Sequence, residues 1–193
     1  MRETLNQLDT DLFLWLNGLN APWLDTLMIW VTERNHWFPF YAVLVFWLIY
    51  RFRKLAIGLI LTIISAVALG DQLSSSLFKP WVHRLRPCHT PGVQEKIHHI
   101  LGCGGQFSFV SSHAATTFAL ATILWLLLGD RYPWLRWVFL WATVVTYSRI
   151  YVGVHYPLDV LAGTGIGVFS GWICMRLYHR TPSRFQIASP ERI

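Results

Sequence analysis

Eight residues between positions 79 and 159 have types and spacings suited to gripping and cleaving a phosphate ester. Lys79 and Arg86 are cations separated by six residues. A guanidinium fork can hold two phosphate oxygens at once, and Pro87 stiffens the chain behind it. Ser111, Ser112 and His113 precede an apolar, helix-prone run that begins at Ala114. They read as a helix start, where serine oxygens cap and free N–H groups favour an anion. His113 is suited to protonating a leaving oxygen near neutral pH. Ser148 and Arg149 are followed by His155 and Asp159, four residues apart with Pro157 between them. Pro157 is expected to open a helix, which places Asp159 in its first turn, free to accept from the Nδ1–H of His155. That fixes the tautomer and leaves Nε2 as a nucleophile, the base-orienter logic of hydrolytic triads.

Each piece has a plainer reading beside this one. Lys79, Arg84 and Arg86 also suit cations that snorkel to lipid headgroups at the end of a span. His113 alone could be an interfacial ring. Asp159 alone could answer a helix dipole.

The chain that must position these residues has 193 positions, 54% of them hydrophobic and only 13% charged. About 25% charged is usual for a soluble domain, so disorder, a collagen-like fibre and an ordinary soluble enzyme are excluded. The net charge of +6 is spread in short clusters between apolar segments rather than in one patch, which argues against nucleic acid as a partner. The expected fold is all-α, a polytopic membrane helix bundle forming one domain over 1–193. Five stretches are candidate spans: His36–Tyr50, Leu55–Phe78, Phe107–Leu128, Pro133–Tyr151 and Pro157–Tyr178. Pro22–Thr32 makes a thin sixth, preceded by an interfacial Leu12–Leu19 that breaks at Gly18-Leu19-Asn20. Six spans is the leading reading, with five spans plus a surface helix as the alternative.

Basic residues set the orientation. Arg51, Arg53, Lys54, Arg131, Arg136, Arg176, Arg180, Arg184 and Arg192 fall on one side, with Arg2 a possible tenth. Arg34, Lys79, Arg84, Arg86, Lys96 and Arg149 fall on the other. The first side is expected to be cytoplasmic, including the tail 179–193. The loop 79–106 between the third and fourth spans, and the core motifs at 79–159, then face outward. No cleavable leader is expected, because Met1–Asp11 carries Glu3, Asp9 and Asp11.

Cys88 and Cys103 lie together in this exported loop, where a disulfide is favoured. Its closure contributes about 3 kcal/mol in the chain-entropy model, and it would draw the first two groups of residues together. His83, His89, His98 and His99 share the loop, but their spacing with the cysteines fits no usual zinc pattern, so no metal is expected. Cys174 reads as a packing residue, and Gly163, Gly165, Gly167 and Gly171 read as a close helix contact.

In order, Lys79-x6-Arg86-Pro87, Ser111-x-His113 and Ser148-Arg149-x5-His155-x3-Asp159 resemble the three-part signature of the type 2 phosphatidic acid phosphatase superfamily. The second part departs from the family's usual Pro-Ser-Gly-His and reads Val110-Ser111-Ser112-His113. The resemblance implies a metal-independent membrane lipid phosphatase with no cofactor. In such enzymes the counterpart of His155 forms a phosphohistidine and that of Asp159 orients it. The counterpart of His113 protonates the leaving group and then activates water, while those of Lys79, Arg86 and Arg149 hold the phosphoryl oxygens. Ser111 and Ser112 belong to the phosphate cradle. The expected partners are a lipid phosphate substrate and the bilayer, with the site on the outer face of the inner membrane. Candidate substrates are undecaprenyl diphosphate, phosphatidylglycerophosphate, phosphatidic acid and lipid A phosphates, with a lean to undecaprenyl diphosphate or a broad specificity, because the site is expected to face outward. Two alternatives remain: a lipid phosphotransferase using the same intermediate, and a non-hydrolytic lipid-phosphate binding or transport protein.

Overall fold

Helices begin and end at the prolines, serines and polar breaks of the sequence. The computed structural model describes residues 2–182, so Arg184 and Arg192 of the expected tail lie outside the described residues. In chain order the helices are α1 (Arg2–Gly18), α2 (Pro22–Thr32), α3 (Phe38–Phe52), α4 (Ala56–Gln72), α5 (Lys79–Val82), α6 (Ser112–Leu128), α7 (Trp137–Tyr151) and α8 (Pro157–Tyr178). Among the described residues the only β-type pairing is an isolated antiparallel bridge between Leu85 and Phe107. Proline opens α2 and α8 at their first residues, where its missing N–H costs nothing. Between α1 and α2, the Asn20 side-chain amide donates to the carbonyls of Asn17 and Gly18, satisfying groups that a helix end leaves open.

Several expected helix bounds differ: α1 already begins at Arg2 rather than Leu12, α3 runs Phe38–Phe52, and Pro133–Arg136 is a 3-10 turn before α7. Two further differences bear on the site. The stretch Leu55–Phe78 is α-helical only to Gln72, and Leu73–Phe78 forms a π-helical segment that runs into α5. The Ser74 and Ser75 hydroxyls both donate to the Asp71 carbonyl, at 2.9 and 2.6 Å. Such bonds compete with the regular ladder, and π turns are frequent beside functional sites. The helix expected from Phe107 begins only at Ser112. Phe107 is committed to Leu85, and Ser108 N donates to the Arg84 carbonyl at 2.8 Å, so this strip stays extended until Ser111 caps the helix.

At the centre, α6 packs against α8, and α4 lies against both. The contact is close because glycines of α8 face Ala114, Ala115 and Ala119 of α6. A Cβ on Gly167 would stand 2.5 Å from the Ala115 carbonyl oxygen, so Gly167→Ala must push the two helices apart. The expected cost is about 1–3 kcal/mol, read as a lowered Tm of the purified protein. Leu48, Leu59, Ile63, Ile123, Leu124 and Leu135 fill the space between α3, α4, α6 and α7, and Cys174 packs among them.

Large apolar side chains also cover the outside. Phe46 is 71% exposed and Ile57 68%, with Val43, Leu61 and Leu161 beside them in character. Soluble monomers rarely present so much contiguous apolar surface. Two helical stretches, Arg34–Val82 and Pro157–Tyr178, are long and apolar enough to cross a membrane, and Ser112–Leu128 is a shorter apolar helix.

The bundle has two distinct ends. Arg51 Nε donates to the Tyr132 hydroxyl at 2.6 Å, so the basic α3–α4 and α6–α7 connections share one of them. The other end gathers the start of α6, the end of α7 and the start of α8, and α1 and α2 lie against it. Asp9 accepts from Leu158 N, and the Asn17 amide donates to the carbonyls of Ile150 and Tyr151. Ala21 N donates to the Tyr151 hydroxyl, while Thr32 meets the Arg149 guanidinium. Both ends of α2 therefore sit by the final turn of α7, and α2 does not run the length of the bundle. Its 11 residues rise only about 16 Å, and Asp25 is held by Tyr151 and His98.

Candidate active site

Each of the three residue groups reaches the α1–α2 end by its own local device. The π segment delivers Lys79 at the start of α5, and its Nζ donates to the Ser112 Oγ at 3.2 Å. The chain then turns through His83 in the left-handed region (φ 52) and pairs Leu85 with Phe107. Arg86 follows. Its Nη1 donates to the Cys103 carbonyl at 2.7 Å and its Nε to the Phe107 carbonyl at 3.3 Å, which leaves three N–H donors for a ligand. A disulfide joins Cys88 to Cys103, so the covalent link and the Arg86 contact fasten the same piece of chain. Burial weakens the hold of Arg86 on its proton, offset in part by Asp159. A cation stripped of water in this way gains strongly from an incoming anion.

Ser111 caps α6 by accepting from Ala114 N at 3.5 Å, and its own N–H donates to the Asp159 carbonyl at 3.0 Å. That bond straps the second group onto the third. Ser112, where the family pattern has glycine, is buried and receives Lys79, a role the sequence alone did not reveal. His113 sits in the first turn with its Nε2 3.5 Å from Arg34 Nε, the donor of that pair.

Arg149 closes α7 and donates through Nη1 to Thr32 Oγ1 at 2.5 Å, while its buried Nε has no partner among the described residues. The α7–α8 turn passes through Gly153 at φ +81, a conformation side chains rarely adopt, and brings His155 N to the Arg149 carbonyl. His155 is 2% exposed. Burial pulls its ring down to about 4, outweighing the opposite pull of Asp159, so it is neutral at pH 7. Its Nδ1 lies 3.7 Å from Asp159 Oδ2. This is longer than the hydrogen bond expected from sequence, because Asp159 already accepts from Tyr156 N at 2.9 Å and from Arg84 at 2.9 Å.

A cavity of about 240 Å³ opens among Thr32, Arg34, Leu101, His113, Arg149 and Val154. The charges of Arg149, Arg34 and Lys79 and the ring of His155 all lie near enough to act on His113. The structure thus gathers Lys79, Ser112, His113, Arg149, His155 and Asp159, with Arg86 within electrostatic reach of the last three named.

Arg84 needs correction. As a membrane anchor it would point outward, yet it turns inward between Asp9 and Asp159 with its guanidinium 4.0 Å from the Tyr156 ring centre. Arg34, Thr32 and Asp9 are the residues missed in the sequence. Arg34 and Asp9 had a weak signal as isolated charges near apolar segments, and Thr32 had none. Among the described residues, one cluster has a metal-ligand arrangement, Cys88, His99 and Cys103. Its two sulfurs are bonded to each other, which removes the thiolates a metal would need.

The family model described as the PAP2 superfamily matches residues 55–182. The chain belongs to the PAP2 superfamily. It is 36% identical over 194 residues to the lipid A 4'-phosphatase of Bacteroides thetaiotaomicron, covering 98% of this chain and 85% of that protein. The undecaprenyl-diphosphatase of Sulfolobus acidocaldarius is 28% identical over 184 residues, covering 90% and 80%. Among solved structures, Aquifex aeolicus LpxE superposes with a TM-score of 0.67 at 29% identity, over 86% of this chain and 93% of that one. As a PAP2 member with phosphatase relatives across nearly its full length, this chain is a phosphoric ester hydrolase.

Proposed function

We propose that this PAP2 enzyme removes a phosphate from a membrane lipid through a phosphohistidine on His155. The observation that carries the reading is the meeting of His113, Arg149 and Arg34 around one cavity, beside a buried neutral His155 backed by Asp159. Nε2 of His155 attacks phosphorus while the ester P–O bond breaks, and His113 gives its proton to the departing oxygen. Water then attacks the phosphohistidine, His113 takes the water's proton, and the P–N bond breaks to release inorganic phosphate. Charge in such a transition state spreads over the equatorial oxygens. Lys79, Arg86, Arg149 and the N-terminus of α6 supply the fixed positive field that stabilises it. A bound phosphate dianion draws Arg34 to itself, which frees His113 Nε2 to carry a proton.

Five helices cross the bilayer in this reading: α3, α4 with its π extension, α6, α7 and α8. Helices α1 and α2 lie at the outer surface over the site, and the basic connections face the cytoplasm. The lipid tail occupies an apolar groove of about 400 Å³ between α3, α4, α6 and α7, lined by Leu44, Ile63, Val67, Leu120 and Trp141. Thr117 lines the same groove and its hydroxyl donates to the His113 carbonyl at 2.7 Å, so the groove opens beside the chemistry.

The higher identity to a lipid A 4'-phosphatase favours a phosphorylated glycolipid over undecaprenyl diphosphate as substrate. The test is phosphate release by the purified protein in detergent from lipid A, undecaprenyl diphosphate, phosphatidylglycerophosphate and phosphatidic acid, with and without EDTA. The fastest turnover is expected on lipid A and is expected to persist in EDTA. Faster turnover of undecaprenyl diphosphate overturns the substrate assignment, and no release from any of the four overturns the function.

A further inference from the structure

The carboxylate behind His155 is itself held by charges at none of the signature positions: Arg84 fills a variable place inside the first group, and Asp9 lies outside all three. Arg84, in the α5–α6 connection, donates through Nη1 to Asp159 Oδ1 at 2.9 Å and through Nη2 to Asp9 Oδ2 at 2.6 Å. Asp9, in α1, is 4% exposed and uses its other oxygen to accept from Leu158 N at 2.9 Å. Asp159 Oδ2 is left to Tyr156 N and, at 3.7 Å, to His155 Nδ1. Three segments distant in sequence therefore converge on one carboxylate: α1, the connection and the first turn of α8.

We propose that Arg84 and Asp9 are positioning residues for phosphoryl transfer, fixing Asp159 so that Oδ2 faces the Nδ1–H of His155. The inference rests on His155 being the nucleophile. A planar guanidinium spanning two carboxylates removes the freedom of Asp159 to rotate. The charge balance matters as well. Asp9, Arg84 and Asp159 sum to one net negative charge beside a ring that becomes cationic as Nε2 bonds to phosphorus. Without Asp9 that sum is zero. Without Arg84, two buried carboxylates face each other, and one must take a proton or move away. The other charged or titratable groups bearing on this set are Arg86, Arg149 and Tyr156. Arg84 is not a fourth phosphate ligand in this arrangement, because both its terminal nitrogens face carboxylates.

The test uses the full chain in detergent with Arg84→Met, Arg84→Lys and Asp9→Asn, each compared with wild type on lipid A. Arg84→Met is expected to lower kcat about 100-fold while KM and inhibition by inorganic phosphate stay near wild type. Arg84→Lys, which can still reach one carboxylate, restores a large part of the loss. Asp9→Asn, nearly isosteric, lowers kcat by about 10-fold. In ¹⁵N-histidine NMR spectra, with His155 assigned by the His155→Ala variant, wild type shows a single Nδ1–H tautomer and Arg84→Met shows a mixture. An unchanged kcat in Arg84→Met, or a raised KM with weakened phosphate inhibition, overturns the proposal. An unchanged His155 tautomer overturns it too, and that readout decides even if an Arg84 variant is too unstable to assay, since Asp9→Asn is measured the same way. Should wild type hydrolyse no lipid, the proposed function fails on its own, and the NMR signature still tests the positioning.

Discussion

Replacing His155 with alanine lowers phosphate release by about 10⁴–10⁶-fold, the scale on which loss of a nucleophile registers in hydrolases. Among the described residues around the site, the hydroxyls of Ser112 and Thr32 already receive Lys79 and Arg149, and the proposed mechanism assigns His113 to the leaving group. The residual rate comes from water attacking in the field of those cations. Inhibition by inorganic phosphate persists, because the groups that grip oxygen remain. A lipid substrate labelled with ³²P leaves an acid-labile, base-stable label on wild type and none on His155→Ala. The pH dependence carries a sign. With the His155 ring pulled down to about 4 by burial, the nucleophile is protonated only below that value. The acid limb of kcat/KM therefore falls near pH 4, well under an ordinary histidine at about 6.5. Loss of activity on the acid side centred near 6.5, or an undiminished rate in the variant, refutes the assignment.

Asp159→Asn comes next, with an expected loss of about 10³–10⁴-fold in kcat, the effect of the same change behind a catalytic histidine elsewhere. The carboxamide offers Nδ1 either a donor or a weaker acceptor, so the imidazole is no longer held with Nδ1–H inward. It also removes the anion that steadies the ring as it gains positive charge. Arg84 loses one of its two carboxylates and remains partly buried beside the other. Binding of phosphate changes little, because the Asp159 carboxylate hydrogen-bonds to none of the expected oxygen-gripping donors, and the bond from Ser111 N goes to its backbone carbonyl, which the substitution keeps. Matching losses in kcat/KM and in phosphate inhibition would show instead that the substitution had disordered the pocket.

Much of this was legible in the chain because it depended on local rules. Pro157 opens α8, the break at Gly18-Leu19-Asn20 separates α1 from α2, and the apolar runs set the helices. The three ordered groups at Lys79–Pro87, Ser111–His113 and Ser148–Asp159 carried the family. What escaped depended on contacts across the fold. Whether Arg84 turns outward to headgroups or inward to Asp9 and Asp159 is settled by where α1 lies, and no periodicity encodes that. Ser112 looked like a mere loss of backbone freedom relative to glycine until its hydroxyl met Lys79. The late start of α6 followed from Phe107 pairing with Leu85 across the connection. Arg34 and Thr32 become part of the pocket because α2 ends beside Arg149.

The region recognised as the family unit begins at residue 55, yet Thr32 holds Arg149, Arg34 faces His113 and Asp9 reaches Arg84 from upstream of it. The proposed site therefore draws on residues upstream of that segment. A chimera that grafts residues 55–182 onto another protein's leading helices inherits every signature residue and still lacks part of the wall around them. Swaps between relatives should keep the first 34 residues with the body they grew up against.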